Sequence, residues 1–437
     1  MQREVEAIAW IRRTVRASLP GGRFARSVIL LAGGTALGQA ITVLASPILT
    51  RLYKPEDFGI LAVYSSILGI LSVIASWRYE LAIPLPEQDE DAVNLVVLSL
   101  GIVVLMSLIV GLGAWLLGRY VVLWLNAPGL QPYLWLLPIG ILLVGSYQVF
   151  NYWAVRKQAF EPVAWTRFHQ GLGAALTQIA GGLLKSGPLG LIVGQVVGQC
   201  AGLMTLAGLL LRVDKVKPQA ISWADVNDMA RRYRRFPQFS SFSGLISSAG
   251  LQIPAILLAF FYGPQVAGWF ALAQRMLGVP MNLVGQAISQ VYMSTGSRLV
   301  RYDVRALRSL FFKTITRLLL IGSVTLGVLA IGGPWLFVRV LGANWENAGR
   351  YLQVLCPAIL AQFVVVPLSQ TVNILEHQDW QLRWDIFRLA LVFLSIFLTF
   401  AAGGTPWQAI LMYSLGMFIA YGTLLGMNIM LLGRAQK

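Results

Sequence analysis

Arg275 stands in the apolar stretch GPQVAGWFALAQRMLGVP, Gly263 to Pro280, ten residues into an uncharged run. At 1.5 Å per residue this places it about 15 Å deep, near the middle of a hydrocarbon layer about 30 Å thick. Insertion scales put the cost of a cation there at about 2.5–3.5 kcal/mol. No Asp or Glu stands mid-run to pair with it, since Asp57 and Glu80 lie near run ends. Two readings remain: carbonyls and glutamine side chains hold the guanidinium, or it lines a wet cavity and meets an anion. The planar fork suits phosphate oxygens.

Other polar groups fall within apolar runs. Gln39, Gln252, Gln274, Gln286 and Gln290 form one set, read either as helix-to-helix contacts or as cavity lining. Gln148/Asn151 and Gln370/Asn373, each at i, i+3, share one helix face and are open to the same two readings. Arg78 and Glu80, in WRYELAIPLP, close the second run and form either the mouth of the cavity or an interfacial pair. Gly190, Gly194, Gly198 and Gly202 recur every fourth residue, a stripe that lets a neighbouring helix approach closely.

Enzymatic chemistry is missing from the sequence. Walker, Rossmann and zinc patterns do not occur. Neither Cys200 and Cys356 nor His169 and His377 have metal-ligand spacing, and no nucleophile stands beside a base. No catalytic residue, metal or cofactor is expected, and without an ATP site any transport draws on gradients, potential or substrate binding. The net charge of +16 does not point to nucleic acid, because the cations cluster between apolar runs.

The elements that must position Arg275 are membrane spans. The 437 residues are 57% hydrophobic and 12% charged, the balance of an all-α polytopic membrane protein. Twelve runs are long enough to cross: 27–50, 57–77, 92–116, 131–153, 164–184, 187–211, 238–261, 265–292, 315–338, 350–374, 384–401 and 407–432. With both termini inside, the inner segments carry 27 of the 34 Lys and Arg and the outer ones six, as the positive-inside rule requires. Residues 1–26 form a basic cytoplasmic segment. The inner loop 213–237 contains WADVNDMARRYRRFP, a short amphipathic helix on the bilayer surface that serves as an anchor or gathers anionic headgroups.

The chain repeats itself. Gln39, Pro55 and Gly59 match Gln252, Pro264 and Gly268 at offsets of 213, 209 and 209 residues. Six spans return the chain to its starting side, so the repeat predicts two pseudo-symmetric six-helix halves of the same orientation, 27–212 and 238–437, joined by 213–237. In that register Arg275 stands where the first half has Ser66.

The stretches ILTRLYKPEDFGILAVYSSI, RYELAIPLPEQDEDAVNLVVLSL and RFPQFSSFSGLISSAGLQIPAILLAFFYGPQVAGWFALAQRMLGVPMNLVGQAISQVY, together with the twelve-span layout, resemble the bacterial polysaccharide-export flippases. These belong to the multidrug, oligosaccharidyl-lipid and polysaccharide exporter superfamily. The resemblance implies a V of two six-helix lobes working by alternating access in the bacterial inner membrane. It implies an undecaprenyl-pyrophosphate-linked oligosaccharide as substrate, for O-antigen, capsule or exopolysaccharide assembly. The polymerase and chain-length regulator of the same pathway would be partners, and a cationic cavity centred on Arg275 would hold the pyrophosphate. Drug-exporting relatives often use a buried carboxylate for cation coupling, which the first span here lacks. A multidrug exporter and a membrane-embedded polymerase or glycosyltransferase are the alternative readings. The short outer loops speak against the second.

Overall fold

A computed structural model describes residues 22–213, 221–375 and 377–434. Most of the expected basic segment 1–26, and residues 214–220 of the expected linker, lie outside the described residues. The chain is all α. Its helices are α1 (Gly22–Leu52), α2 (Pro55–Leu71), α3 (Asp89–Trp124), α4 (Leu136–Arg156), α5 (Phe160–Leu183), α6 (Pro188–Val213), α7 (Trp223–Arg232), α8 (Ser241–Tyr262), α9 (Pro264–Tyr302), α10 (Val304–Leu341), α11 (Glu346–Leu368), α12 (Gln370–Ile374), α13 (Gln378–Ala401) and α14 (Pro406–Arg434). Among the described residues nine stretches are long and apolar enough to cross a membrane. At 39 and 38 residues, α9 and α10 are each about 57 Å long. They exceed the hydrocarbon thickness, so their shared basic end projects beyond it.

In the first half α1 packs on α5, α5 on α6, α4 on α6 and α3 on α4. In the second, α10 packs on α11, α9 and α14 on α11, and α13 on α8 and α14. Helix α2 departs from this division and lies mainly against α8 and α9.

The same device opens α2 and α9. Each begins with proline at its first position, where the missing N–H is no loss and the fixed φ suits a helix. The Lys54 N–H donates to the Asp57 carboxylate at 2.9 Å, which fixes the start of α2. One turn on, Gly59 and Gly268 meet the opposite helix. A Cβ at Gly59 would overlap the Pro264 carbonyl, and one at Gly268 the Pro55 carbonyl. Only glycine allows two backbones so close, and the two repeat elements therefore pack reciprocally on each other. Trp345 seals this end: it is fully buried, its indole donates to the Thr50 carbonyl at 2.9 Å, and it stands edge-on to Phe58 at 5.0 Å.

The opposite end of α2 is held differently. Gly69 lies against the Gln252 side chain, and the Ser248 hydroxyl donates to the Gly69 carbonyl at 3.2 Å. Trp77 and Arg78 are consecutive left-handed residues, with φ of 51° and 63°, a strained conformation for side-chain-bearing residues. The turn lays the Arg78 guanidinium on Gly244 of α8 and lets Tyr79 donate to the Ala230 carbonyl of α7 at 3.0 Å. Glu80 is buried, accepts from Ser76 and lies 3.8 Å from Arg78. Burial raises the Glu80 carboxyl above its usual range, against the opposing pull of Ser76, its own backbone N–H and Arg78. Helix α7, the expected surface helix, buries Val226 and Met229 against α3 and leaves Arg231 and Arg232 exposed.

The run 350–374 lies within one stretch, 343–374, that is long and apolar enough to cross a membrane, with a single-residue turn at Ser369 between α11 and α12. Two expectations need correction. Gln370 and Asn373 join each other at 3.0 Å rather than reaching another helix. A carboxylate does lie within a span: Asp385 of α13 is buried and pairs with Arg388 at 2.9 Å. Arg388 also donates to the Ser247 carbonyl at 3.0 Å and covers the Trp384 ring at 4.7 Å. The pair joins α13 to α8 rather than balancing Arg275.

Gly59→Leu and Gly268→Leu should each overpack the crossing, with a cost of about 1–3 kcal/mol. A melting temperature in detergent several degrees below the parent protein is expected for both, and an unchanged value would show that the helices separate freely. A group whose folded pKa is raised favours the folded state below its unfolded pKa, and that advantage is lost as pH rises through the folded value. Glu80→Gln is therefore expected to gain stability relative to the parent as pH rises from about 4 to 8, measured by thermal shift. A pH-independent difference would refute the assignment to Glu80.

Candidate substrate-binding site

A cavity of about 270 Å³ opens between α1, α2, α5, α6 and α9. Thr42 and Ala45 come from α1, and Leu61 and Ser65 from α2. Gln170, Ala174, Ala175 and Gln178 come from α5, and Gln195, Gly198 and Gln199 from α6. Arg275 is the lining residue supplied by the second half. It is the twelfth residue of α9, about 17 Å from the helix start. One of its N–H groups donates to the Thr42 carbonyl at 3.3 Å. Among the described residues no Asp or Glu pairs with it.

The glycine stripe of α6 explains how the walls come together. Side chains at Gly194, Gly198 and Gly202 would collide with Gln178, the Gln170 carbonyl and the Gln170 side chain, respectively. Close packing of α5 on α6 thus brings two pairs of glutamines to one face. Ser65 donates to Gln195 at 2.7 Å, Gln170 to Gln199 at 3.4 Å, and Gln178 to the Leu191 carbonyl at 3.1 Å. Tyr53 lies toward the Trp345 end and donates to the Gln178 carbonyl at 2.6 Å.

Of the candidate binding residues expected from the sequence, Arg275 is the one that lines this cavity, beside Gly198 of the glycine stripe. Gln274 turns away and donates to Tyr413 at 3.3 Å. Gln39 keeps a buried side-chain oxygen without a hydrogen-bond partner. Gln252 packs on Gly69, and Gln286 and Gln290 are exposed farther along α9. Arg78 and Glu80 belong to the turn at the far end of α2, close to α8. The four cavity glutamines were missed. Their signal was present as Gln195 and Gln199 at i, i+4, one position beyond each of two stripe glycines.

The arrangement can hold an anion against a lone guanidinium and offer amides to neighbouring polar groups. Its lining has no carboxylate, histidine, cysteine or lysine. Among the described residues no three His, Cys, Asp or Glu side chains gather to bind a metal.

Comparison with known proteins gives the same picture at the level of fold. The chain is 24% identical over 333 residues to the succinoglycan biosynthesis transport protein ExoT of Rhizobium meliloti (strain 1021). That match covers 76% of the chain but 64% of the relative, less than two thirds of its length. Among solved structures, an inward-facing multidrug resistance MATE family transporter of the MOP superfamily superposes with a TM-score of 0.74 at 14% identity, covering 91% of this chain and 95% of that one. The lipid II flippase MurJ, in an inward closed conformation, gives 0.72 at 12% identity, covering 91% and 87%. Both show the fold: an all-α, multi-pass architecture shared with non-enzymatic transporters. The profile of the polysaccharide biosynthesis protein family matches residues 48–350, well over half of the sequence, and the chain belongs to that family.

Proposed function

We propose that this chain is a flippase that moves an undecaprenyl-pyrophosphate-linked oligosaccharide from the inner to the outer leaflet of a bacterial inner membrane, for O-antigen, capsule or exopolysaccharide assembly. The observation that carries the reading is Arg275, a permanent cation without a carboxylate partner that faces an amide-lined cavity. A pyrophosphate supplies the missing charge, and the guanidinium fork matches its oxygens. The family match and the relative named for succinoglycan transport support a saccharide cargo.

In this reading residues 27–212 and 238–437 are two lobes, joined by the cytoplasmic linker 213–237, that rock about the α2–α9 crossing. The crossing closes the outer end, so the conformation is inward-facing, with Arg78 near the cytoplasmic mouth. An anion leaving an inside-negative cell runs downhill, and two charges gain about 4.6 kcal/mol per 100 mV. The potential thus assists the outward stroke, and Arg275 provides the hold midway.

Superposition on a multidrug transporter favours a second reading, export of a small molecule. Cationic drugs would call for a carboxylate in the cavity, and its lining has an arginine instead. The two readings separate in proteoliposomes carrying a fluorescent polyprenyl-pyrophosphate lipid. The parent protein should flip the lipid, Arg275→Ala should lose at least tenfold in rate, and Arg275→Lys should recover part of it. Full activity in Arg275→Ala would rule out the anion site. Uptake of a cationic dye without lipid flipping would favour the exporter.

A further inference from the structure

Four arginines stand within five residues where α7 runs into α8: Arg231, Arg232, Arg234 and Arg235, all exposed. Among the described residues none of them makes a salt bridge or a side-chain hydrogen bond. Arg232 lies over the Tyr233 ring at 5.5 Å. The acids of α7, Asp225 and Asp228, pair with none of the four, and no Asp or Glu follows before Asp303. Uncompensated cations so close together repel one another, and an anionic partner relieves that repulsion.

The surroundings decide what kind of anion fits. Helix α7 is seated on protein. Val226 and Met229 are buried against α3, the Ser222 N–H donates to the Asn94 side chain at 3.4 Å, and Tyr79 donates to the Ala230 carbonyl at 3.0 Å. The apolar side that an amphipathic helix would lay into a bilayer is therefore already taken. What remains outward is basic, and just beyond it come Phe239 and Phe242, 70% and 61% exposed. Both belong to the apolar stretch Phe236–Tyr262, whose 27 residues reach about 40 Å against about 30 Å of hydrocarbon. Its end turns thus stand at the boundary between headgroups and acyl chains, with the arginines next to them. An acidic protein surface would match the charge but leave the two phenylalanines uncovered. A lipid phosphate fits the guanidinium fork, and its acyl chains cover the rings.

We infer that Arg231, Arg232, Arg234 and Arg235, with Phe239 and Phe242, form a binding site for an anionic phospholipid of the adjoining leaflet. The arginines take the phosphates, and the phenylalanines lie among the acyl chains. The site is separate from the cavity at Arg275 and does not depend on the cargo. It lies on the segment that ties α3 to α8, so a bound lipid braces that joint.

The test uses the full-length protein in a neutral detergent and two probes of equal chain length, phosphatidylglycerol and phosphatidylcholine, with bound lipid counted by native mass spectrometry. The parent should prefer phosphatidylglycerol by at least about tenfold, and Arg234→Gln and Arg235→Gln should each weaken it by about fivefold without moving phosphatidylcholine. These are single changes at exposed positions, which keeps the comparison within folded protein. Replacing all four arginines by glutamine should erase the preference, and replacing them by lysine should keep most of it. Phe239→Ser with Phe242→Ser should weaken both lipids alike. Arg305→Gln with Lys313→Gln, on the basic end of α10, should leave the preference unchanged. An equal loss from that pair would reduce the patch to general positive charge and overturn the site. Retention of phosphatidylglycerol by the four-glutamine protein at the parent level would do the same. A polyprenyl pyrophosphate held by these arginines in place of phosphatidylglycerol would assign the patch to cargo and also overturn it.

Discussion

A guanidinium set among packed helices with no carboxylate partner among the described residues is the condition to which the surrounding structure answers. Arg275 lies about 17 Å from the start of α9, and one backbone carbonyl supplies its only protein hydrogen bond among the described residues. What compensates is polarity concentrated around a small space. Helices α5 and α9, which fall outside the strongly apolar set, both contribute to the cavity.

A second buried arginine shows the contrast. Arg388 has Asp385 at 2.9 Å, the Ser247 carbonyl at 3.0 Å and the Trp384 ring beneath it. Its charge is neutralised within the protein, so it holds helices together and makes no demand on a ligand. Breaking such a pair by removing one partner typically costs about 3–5 kcal/mol. The difference between the two arginines lies in whether the chain itself completes the charge.

Much of this was legible in the residues. The apolar runs locate the long helices because burial in hydrocarbon leaves little latitude in length or composition. Arg275 stood out because a lone cation in such a run has no ordinary explanation. The repeat paired Pro55 with Pro264 and Gly59 with Gly268, but pairing in sequence does not say that the paired residues touch. The cavity glutamines were hidden for a related reason. Gln195 and Gln199 sit beside a glycine stripe whose packing role is real, and their exposure depends on where α2 and α9 lie, a tertiary fact absent from helical periodicity. Asp385 does not stand out in the sequence because it lies seven residues from the start of its helix, close to Asp379 and Arg383. Its burial comes from α8 and α14 closing over it.

The reciprocal crossing of α2 and α9 has a further consequence. Pro55 meets Gly268 while Pro264 meets Gly59, so each partner of the contact is also its copy. That is the form of an isologous interface, the contact two identical subunits make across a twofold axis. Within one chain it joins two stretches that repeat one Pro-x-x-x-Gly pattern, and only the second of them runs on into an arginine that lines the cavity. The pattern is kept where the two backbones touch and departed from at the cavity, because a charge repeated by symmetry would face its own copy.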